Sequence, residues 1–345
     1  MTSRIKSLDS FRMVAALMVV FLHYVPDGVS DLTKAFCRIA VPFFFMVSGF
    51  FVYSDDTSKV CARCKKNIIK LLKLYLTVIP LLVLYACVIR NFEGAAVRKI
   101  IHSLFSWKFI LFNFNFSSRF WFLRALIYVY LALWGIMLLT KDKQKEKCDR
   151  ILLILTGVII VCGVIFFKYS TLLGMNISRR YYEIPCKFIE SAFGSFLMGY
   201  FVKKYQSVLS EKFNLRNVSL LLIFGVGLQL IEFYGLRFLK ADKPATDYFS
   251  TFILLFAIFQ LLLIFADWNP FHISTIGNEY SLWIYILHMT VLRYINMLPW
   301  KYIRKYSIKT NMWLKVLVGG FVCIGLAFIG KLVVKKIKEL RSREI

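Results

Sequence analysis

Ten runs of mostly apolar residues, each about the length a helix needs to cross a bilayer, recur along this 345-residue chain, and no other feature restricts its fold so far. At about 1.5 Å per residue, roughly 20 residues cover about 30 Å of hydrocarbon. The runs fall near residues 9–27, 36–54, 68–90, 118–140, 150–168, 185–203, 216–235, 247–267, 277–297 and 312–334. Composition points the same way. Hydrophobic residues make up 59% of the chain and charged residues 19%, whereas a soluble domain has about 45–50% and about 25%. The expected fold class is an all-α polytopic membrane protein with about ten transmembrane helices in one domain. The first run carries Asp9, Arg12 and His23 and lacks a small-residue cleavage site, so it is expected to stay as helix one rather than leave as a signal peptide.

Forty-five Lys and Arg against 19 Asp and Glu give a net charge of +26. A nucleic-acid binder gathers such charge on one solvated face. Here the cations punctuate the apolar runs, as topology signals do, so no nucleic-acid partner is expected. The basic connections after the second, fourth and sixth runs fall on one side with the N-terminal Arg4 and Lys6. An even helix count then places both termini in the cytoplasm of a bacterial-type plasma membrane. Residues 91–117 hold an aromatic run too short to cross, which reads as interfacial or re-entrant. The eight cysteines lack a pattern and read as reduced, buried thiols; Cys61 and Cys64 form a CxxC in what looks like a basic loop, without a second pair to complete a metal site, and no metal is expected.

Ionisable side chains inside a span mark interior or functional positions. Asp9 and Arg12 are three apart and can pair on one face. His23 follows Arg12 by eleven positions and returns to within about 20° of the same direction, roughly 16 Å farther along the helix, with Ala16 and Val19 or Val20 forming a small-residue track between them. In the ninth run Ser281, Tyr285 and His288 fall at i, i+4 and i+7 on one face. An imidazole near hydroxyl groups suits general-base chemistry, and an interhelical hydrogen bond suits Ser281 and Tyr285 as well.

The opening SLDSFRMVAALMVVFLHY followed by RIAVPFFFMVSGFFV closely resembles the acyltransferase 3 family of integral membrane acyltransferases, with Arg12 and His23 at its helix-one signature positions. FWFLRALIYVYL resembles its WFL element and SLWIYILHMTVL its S...Y..H element. The resemblance covers essentially the whole chain, residues 1–345. It implies transfer of an acyl group, usually acetyl, from cytoplasmic acyl-CoA to a hydroxyl of an extracytoplasmic or lipid-linked glycan. His23 is then the expected base, with Asp9 and Arg12 positioning the base or the pantetheine end. Where relatives commonly have paired Arg for the phosphates of acetyl-CoA, this chain has Lys66, Lys70 and Lys73 on one face, with Arg63 a further candidate; positive-inside anchoring explains the same lysines.

Glu232, deep in the seventh run, either orients an acceptor or a histidine or binds an internal cation such as Arg124. Trp121, Arg179 and Arg180 lie near outer boundaries, where they could line a sugar-binding mouth or anchor the chain among membrane lipids. Self-association as a homo-oligomer is compatible with the sequence. Two other readings stand beside acyl transfer. AVPFFFMVSGFFV and the IE of the seventh run also resemble the membrane part of membrane-bound serine racemases, which implies transport of serine or a similar small polar solute. A catalytically silent partner in a glycan-export assembly is the third.

Overall fold

A computed structural model describes residues 4–24, 31–89, 121–140, 144–175, 186–242, 246–297 and 312–341, with isolated positions 94, 98 and 102. The described residues are helical and contain no strand. We number the helices α1 (Lys6–Tyr24), α2 (Asp31–Cys37), α3 (Ala40–Val52), α4 (Thr57–Ile89), α5 (Trp121–Leu139), α6 (Lys145–Gly163), α7 (Ser195–Lys204), α8 (Gln206–Lys212), α9 (Leu215–Phe238), α10 (Phe249–Ile264), α11 (Ile273–Met297) and α12 (Met312–Arg341). Two π-helical stretches, Val164–Lys168 and Cys186–Gly194, extend α6 and lead into α7. Within the described residues, each of the ten apolar runs falls largely on helix. Four segments are long and apolar enough to cross a membrane: Asp31–Val52, Trp121–Leu139, Lys145–Lys168 and Leu215–Phe238. Exposed Ile154, Ile223 and Ile231 on them occupy positions that suit a hydrocarbon solvent.

One expectation changes. The stretch read as a basic loop before the third run, CxxC included, is the first part of α4, which is 33 residues long. Asp56 starts it: its Oδ1 accepts from the backbone N–H groups of Ser58 (2.8 Å) and Lys59 (3.4 Å). Its hydrogen bond with the Ser58 hydroxyl holds the Asp56 carboxyl below its ordinary range. Val60, Cys64, Ile68 and Leu71 line the buried side of the helix, while Lys66, Lys70 and Lys73 are exposed. A helix of 33 residues is about 50 Å long, against about 30 Å of hydrocarbon, so α4 has room for a solvated basic section and an apolar one. Cys37, Cys61, Cys64, Cys148, Cys162 and Cys323 are free thiols; Cys162 is exposed rather than buried.

The chain divides into two compact units. The first comprises Met1–Phe44, Ser210–Lys240 and Tyr248–Ile345. Within it α1 packs along α11, α11 along α12, and α9 along α10. The start of α1 is tied to the end of α10 by Ser7, whose N–H donates to Ala266 O (3.0 Å) and whose hydroxyl donates to Leu262 O (2.5 Å).

The second unit comprises Phe45–Leu209 and Ala241–Asp247. Its helices α3 and α7 meet backbone to backbone: a Cβ on Gly49 would lie 1.8 Å from Phe196 O, and one on Gly199 would lie 1.8 Å from Met46 O. Small residues permit such approach where apolar solvent gives helices no hydrophobic drive to associate. Beside this crossing the buried carboxylate of Asp149 accepts from Lys145 Nζ (2.9 Å), Lys204 Nζ (2.7 Å) and the Tyr200 hydroxyl (3.1 Å). Elsewhere in the unit the buried Lys168 pairs with Asp242 (2.6 Å) and Ser191 donates to Asp247.

The paired glycines carry a direct expectation. Gly49→Ala or Gly199→Ala forces α3 and α7 apart and destabilises the protein by about 1–3 kcal/mol, the range for overpacking. Gly135→Ala, where nothing lies within 4 Å of the new Cβ, leaves stability unchanged or higher because alanine favours helix. Thermal unfolding in detergent separates the two cases.

Candidate active site

The first unit brings together the two helices that the sequence singles out. Where α1 crosses α11, a Cβ on Gly277 would sit 1.8 Å from Asp9 O and 3.1 Å from Met13 N, so only glycine lets the two backbones touch. At this end Asp9 is buried, with 4% of its surface exposed, and held from both sides. Arg12 Nη1 lies 2.7 Å from its Oδ1, the pairing that the three-residue spacing predicts. Arg4 Nε lies 2.7 Å from its Oδ2, and Arg4 Nη2 donates to Ser274 O (2.9 Å) at the start of α11. Two guanidinium groups thus satisfy a carboxylate that would be costly to bury alone.

At the other end of the same crossing His23 meets His288. Their ring centroids are 5.2 Å apart and the rings tilt by 34°. His23 is exposed, while His288 is 2% exposed. The Nδ1 of His288 lies 2.5 Å from Tyr285 O and 3.2 Å from Ile284 O. Both neighbours are carbonyls, so Nδ1 carries the proton and, in the neutral ring, Nε2 keeps the lone pair. The Tyr285 ring lies against that of His288 at 5.6 Å, and Ser281 and Tyr285 are buried with it, as one helical face requires. Because Asp9 meets Gly277 near the start of both helices and His23 meets His288 farther along both, α1 and α11 run parallel.

The small-residue track expected between Arg12 and His23 is closed. Ala16 and Val20 belong to a packed apolar cluster with Phe21, Ile284, Val291 and Cys323. Their size serves close helix packing rather than passage. Arg12 and Asp9 therefore lie beyond this packed cluster from His23, roughly 16 Å and roughly 21 Å away along α1.

Other candidates take structural places. Glu232 accepts from the backbone N–H groups of Phe249 (3.1 Å) and Ser250 (2.8 Å), which makes it the cap of α10. Neither reading weighed for it from sequence included that role. In the second unit Arg124 is 7% exposed, donates to the Tyr75 hydroxyl and lies 5.3 Å over the Tyr75 ring. Trp121 packs on Phe45, ring to ring at 6.1 Å. Arg63 donates to Tyr53 O and so caps the end of α3. The Tyr53 hydroxyl donates to Asp55 (2.5 Å). Lys66, Lys70 and Lys73 share the exposed face of α4 that their spacing predicts, and make no ion pair among the described residues. Arg179, Arg180 and nearly all of the 91–117 connection lie outside the described residues.

The sequence reading took Arg4 only as a topology signal, since its five-residue distance from Asp9 is not a helical pairing distance, and did not single out Lys168 or Glu190, both of which are buried. Among the described residues no three His, Cys, Asp or Glu side chains gather as a metal site requires.

Loss of the α10 cap is measurable. Glu232→Ala removes hydrogen bonds to a charged acceptor and lowers stability by roughly 1–3 kcal/mol, whereas Glu232→Gln, which still accepts through one oxygen, loses less. An unchanged melting temperature for Glu232→Ala contradicts the capping role.

A family model described as an acyltransferase domain matches residues 5–331. A serine/alanine racemase of Enterococcus gallinarum is 25% identical over 349 aligned residues, which cover 93% of this chain and 46% of that protein. An amino-acid racemase of Enterococcus faecalis is 39% identical over 69 residues, 17% of this chain and 10% of that protein. The chain thus spans less than half the length of these curated relatives. No solved structure matches significantly.

Proposed function

The chain belongs to the acyltransferase 3 family, whose model runs from residue 5 to residue 331, and from that membership we propose that it moves an acetyl group from cytoplasmic acetyl-CoA to a hydroxyl of an extracytoplasmic or lipid-linked glycan. The observation that carries this reading is the exposed His23 backed by the buried His288 on parallel helices. His23 removes the proton of the acceptor hydroxyl as its oxygen bonds to the thioester carbonyl carbon. The carbon–sulfur bond then breaks, and the thiolate of CoA leaves with the proton that His23 returns. A positioned base of this kind contributes about 10²–10⁴-fold.

Asp9 and Arg12, clamped by Arg4, form a charged end to α1 that suits the pantetheine end of the donor. The exposed Lys66, Lys70 and Lys73, with Arg63 on the same helix, suit the phosphates as point charges. We place the protein in a bacterial-type plasma membrane with ten crossings and both termini in the cytoplasm. The ties between Arg4 and Ser274 and between Ser7 and Ala266 support this placement, since they join the start of α1 to the connection between α10 and α11 on one side.

His23→Ala is expected to lower acetyl transfer from acetyl-CoA by about 10²-fold or more, measured as CoA release by purified protein with glycan acceptor; transfer at the unmutated rate removes His23 from the mechanism. Replacing Lys66, Lys70 and Lys73 together by Gln is expected to raise KM for acetyl-CoA about tenfold with kcat nearly unchanged, the signature of lost ground-state binding.

The racemase relatives are named for serine, alanine and amino acids, and a second reading stands beside acetyl transfer, passage of serine or a similar solute across the membrane. Proteoliposomes that accumulate labelled serine without acetyl-CoA support it, and CoA release without accumulation supports acetyl transfer.

A further inference from the structure

We propose that an anionic phospholipid docks on the exposed face of α4, its phosphodiester among Lys66, Lys70 and Lys73 and its acyl chains along Ile69, Leu72 and Leu76, and that it competes there with the acyl donor. The competition rests on the acetyl-transfer reading, which gives the same lysines to the phosphates of acetyl-CoA; the lipid contact does not.

Charge comes first. The 33 residues of α4 include Lys59, Arg63, Lys65, Lys66, Lys70 and Lys73 and no Asp or Glu. Asp56, just before the helix, meets Lys59 at 3.5 Å, and Arg63 is turned to the end of α3. Lys66, Lys70 and Lys73 are left exposed and make no ion pair among the described residues. They rise over about 10 Å of helix, so their ammonium groups form one strip that attracts anions. The second observation is apolar. Lys65, Ile69, Leu72 and Leu76 fall at i, i+4, i+7 and i+11, the same spacing as Lys66, Lys70, Lys73 and Thr77 and one position earlier. At about 100° per residue the two rows run side by side along the exposed half of the helix. Ile69, Leu72 and Leu76 are 43%, 42% and 66% exposed, while Val60, Cys64, Ile68 and Leu71 on the opposite side are buried.

The two rows together decide the occupant. Water suits the lysines and leaves three large apolar side chains uncovered; hydrocarbon suits those side chains and leaves three ammonium groups without an opposing charge. A phospholipid of net negative charge covers both rows at once. Its phosphate meets the ammonium groups while the lysine stems lie along apolar surface. The nucleotide end of acetyl-CoA offers the same phosphate chemistry without a long apolar chain, so it fits the lysine row alone. Two anionic groups on one strip of three lysines repel each other. Occupation by lipid then lowers the apparent affinity for the donor by mass action, and the composition of the surrounding leaflet sets how far.

The test uses the full-length protein in nanodiscs of phosphatidylcholine alone or mixed with phosphatidylglycerol. Native mass spectrometry is expected to find phosphatidylglycerol retained in preference to phosphatidylcholine. Two triple variants, one with Lys66, Lys70 and Lys73 changed to Gln and one with Ile69, Leu72 and Leu76 changed to Gln, should each retain it about fivefold less or weaker still. KM for acetyl-CoA should rise about fivefold in the mixed discs with kcat unchanged. Because the charge of those discs also repels acetyl-CoA, the decisive variant keeps every lysine: with Ile69, Leu72 and Leu76 changed to Gln, KM in phosphatidylcholine stays that of the unmutated protein and most of the rise in mixed discs is lost. Equal retention by all three proteins overturns the proposal, and so does a KM that rises with inorganic phosphate but not with phosphatidylglycerol, the mark of a site for free phosphate. Retention without a shift in KM, or an equal shift in the variant that keeps the lysines, overturns the competition. If the variants fail to fold, cross-linking of a photoreactive phosphatidylglycerol to residues 65–77 of the unmutated protein decides. A protein that retains phosphatidylglycerol and transfers no acetyl group keeps the docking site and loses the acetyl-transfer reading, so the two failures are seen separately.

Discussion

The backbone contact between Gly277 and Asp9 fixes the register of α1 against α11, and the polar side chains of the candidate site take their places from it. With no Cβ at the crossing, the helices come close enough for Arg4 to reach Ser274 and for the two histidines to meet farther along. Between the two polar ends the surfaces are apolar and small, and Ala16 and Val20 are fully buried. The chain thus answers the cost of charge in a membrane by confinement. Charged groups sit at the helix start, where arginines satisfy a carboxylate, and two imidazoles meet at the far end of the crossing.

The second unit uses the same device with different chemistry. Gly49 and Gly199 each oppose a backbone carbonyl of the other helix, and the buried charge of Asp149 is met by two lysines and a tyrosine. Such a cluster is firm when complete and costly when broken, since one missing partner leaves charge without compensation. On α4 the opposite choice is made: Val60, Cys64, Ile68 and Leu71 face inward and the lysines are left to solvent, where they stay available to an anionic ligand.

How far the sequence revealed all this depends on the distance over which each interaction acts. The ten apolar runs and the Asp9–Arg12 pair were legible because hydropathy and a three-residue spacing are local properties. The beginning of α4 was not, because dense Lys and Arg resemble a loop until the apolar residues beneath them are counted at helical spacing. Glu232 serves backbone groups 17 and 18 positions away, and no local pattern announces a cap given from one helix to the next. Small residues between Arg12 and His23 fit either a track or tight packing, and only the neighbours from α11 and α12 decide for packing. His23 and His288 were each conspicuous in sequence; that they face one another is a property of the crossing.

The most direct measurement is an electron cryomicroscopy structure of the protein in lipid nanodiscs with a non-transferable acetyl-CoA analogue. The account predicts the acetyl group beside the exposed edge of His23, with room between them for one acceptor hydroxyl to donate to the imidazole, and His288 behind it. An analogue that binds with its acetyl end elsewhere, and with His23 in contact with lipid alone, contradicts it.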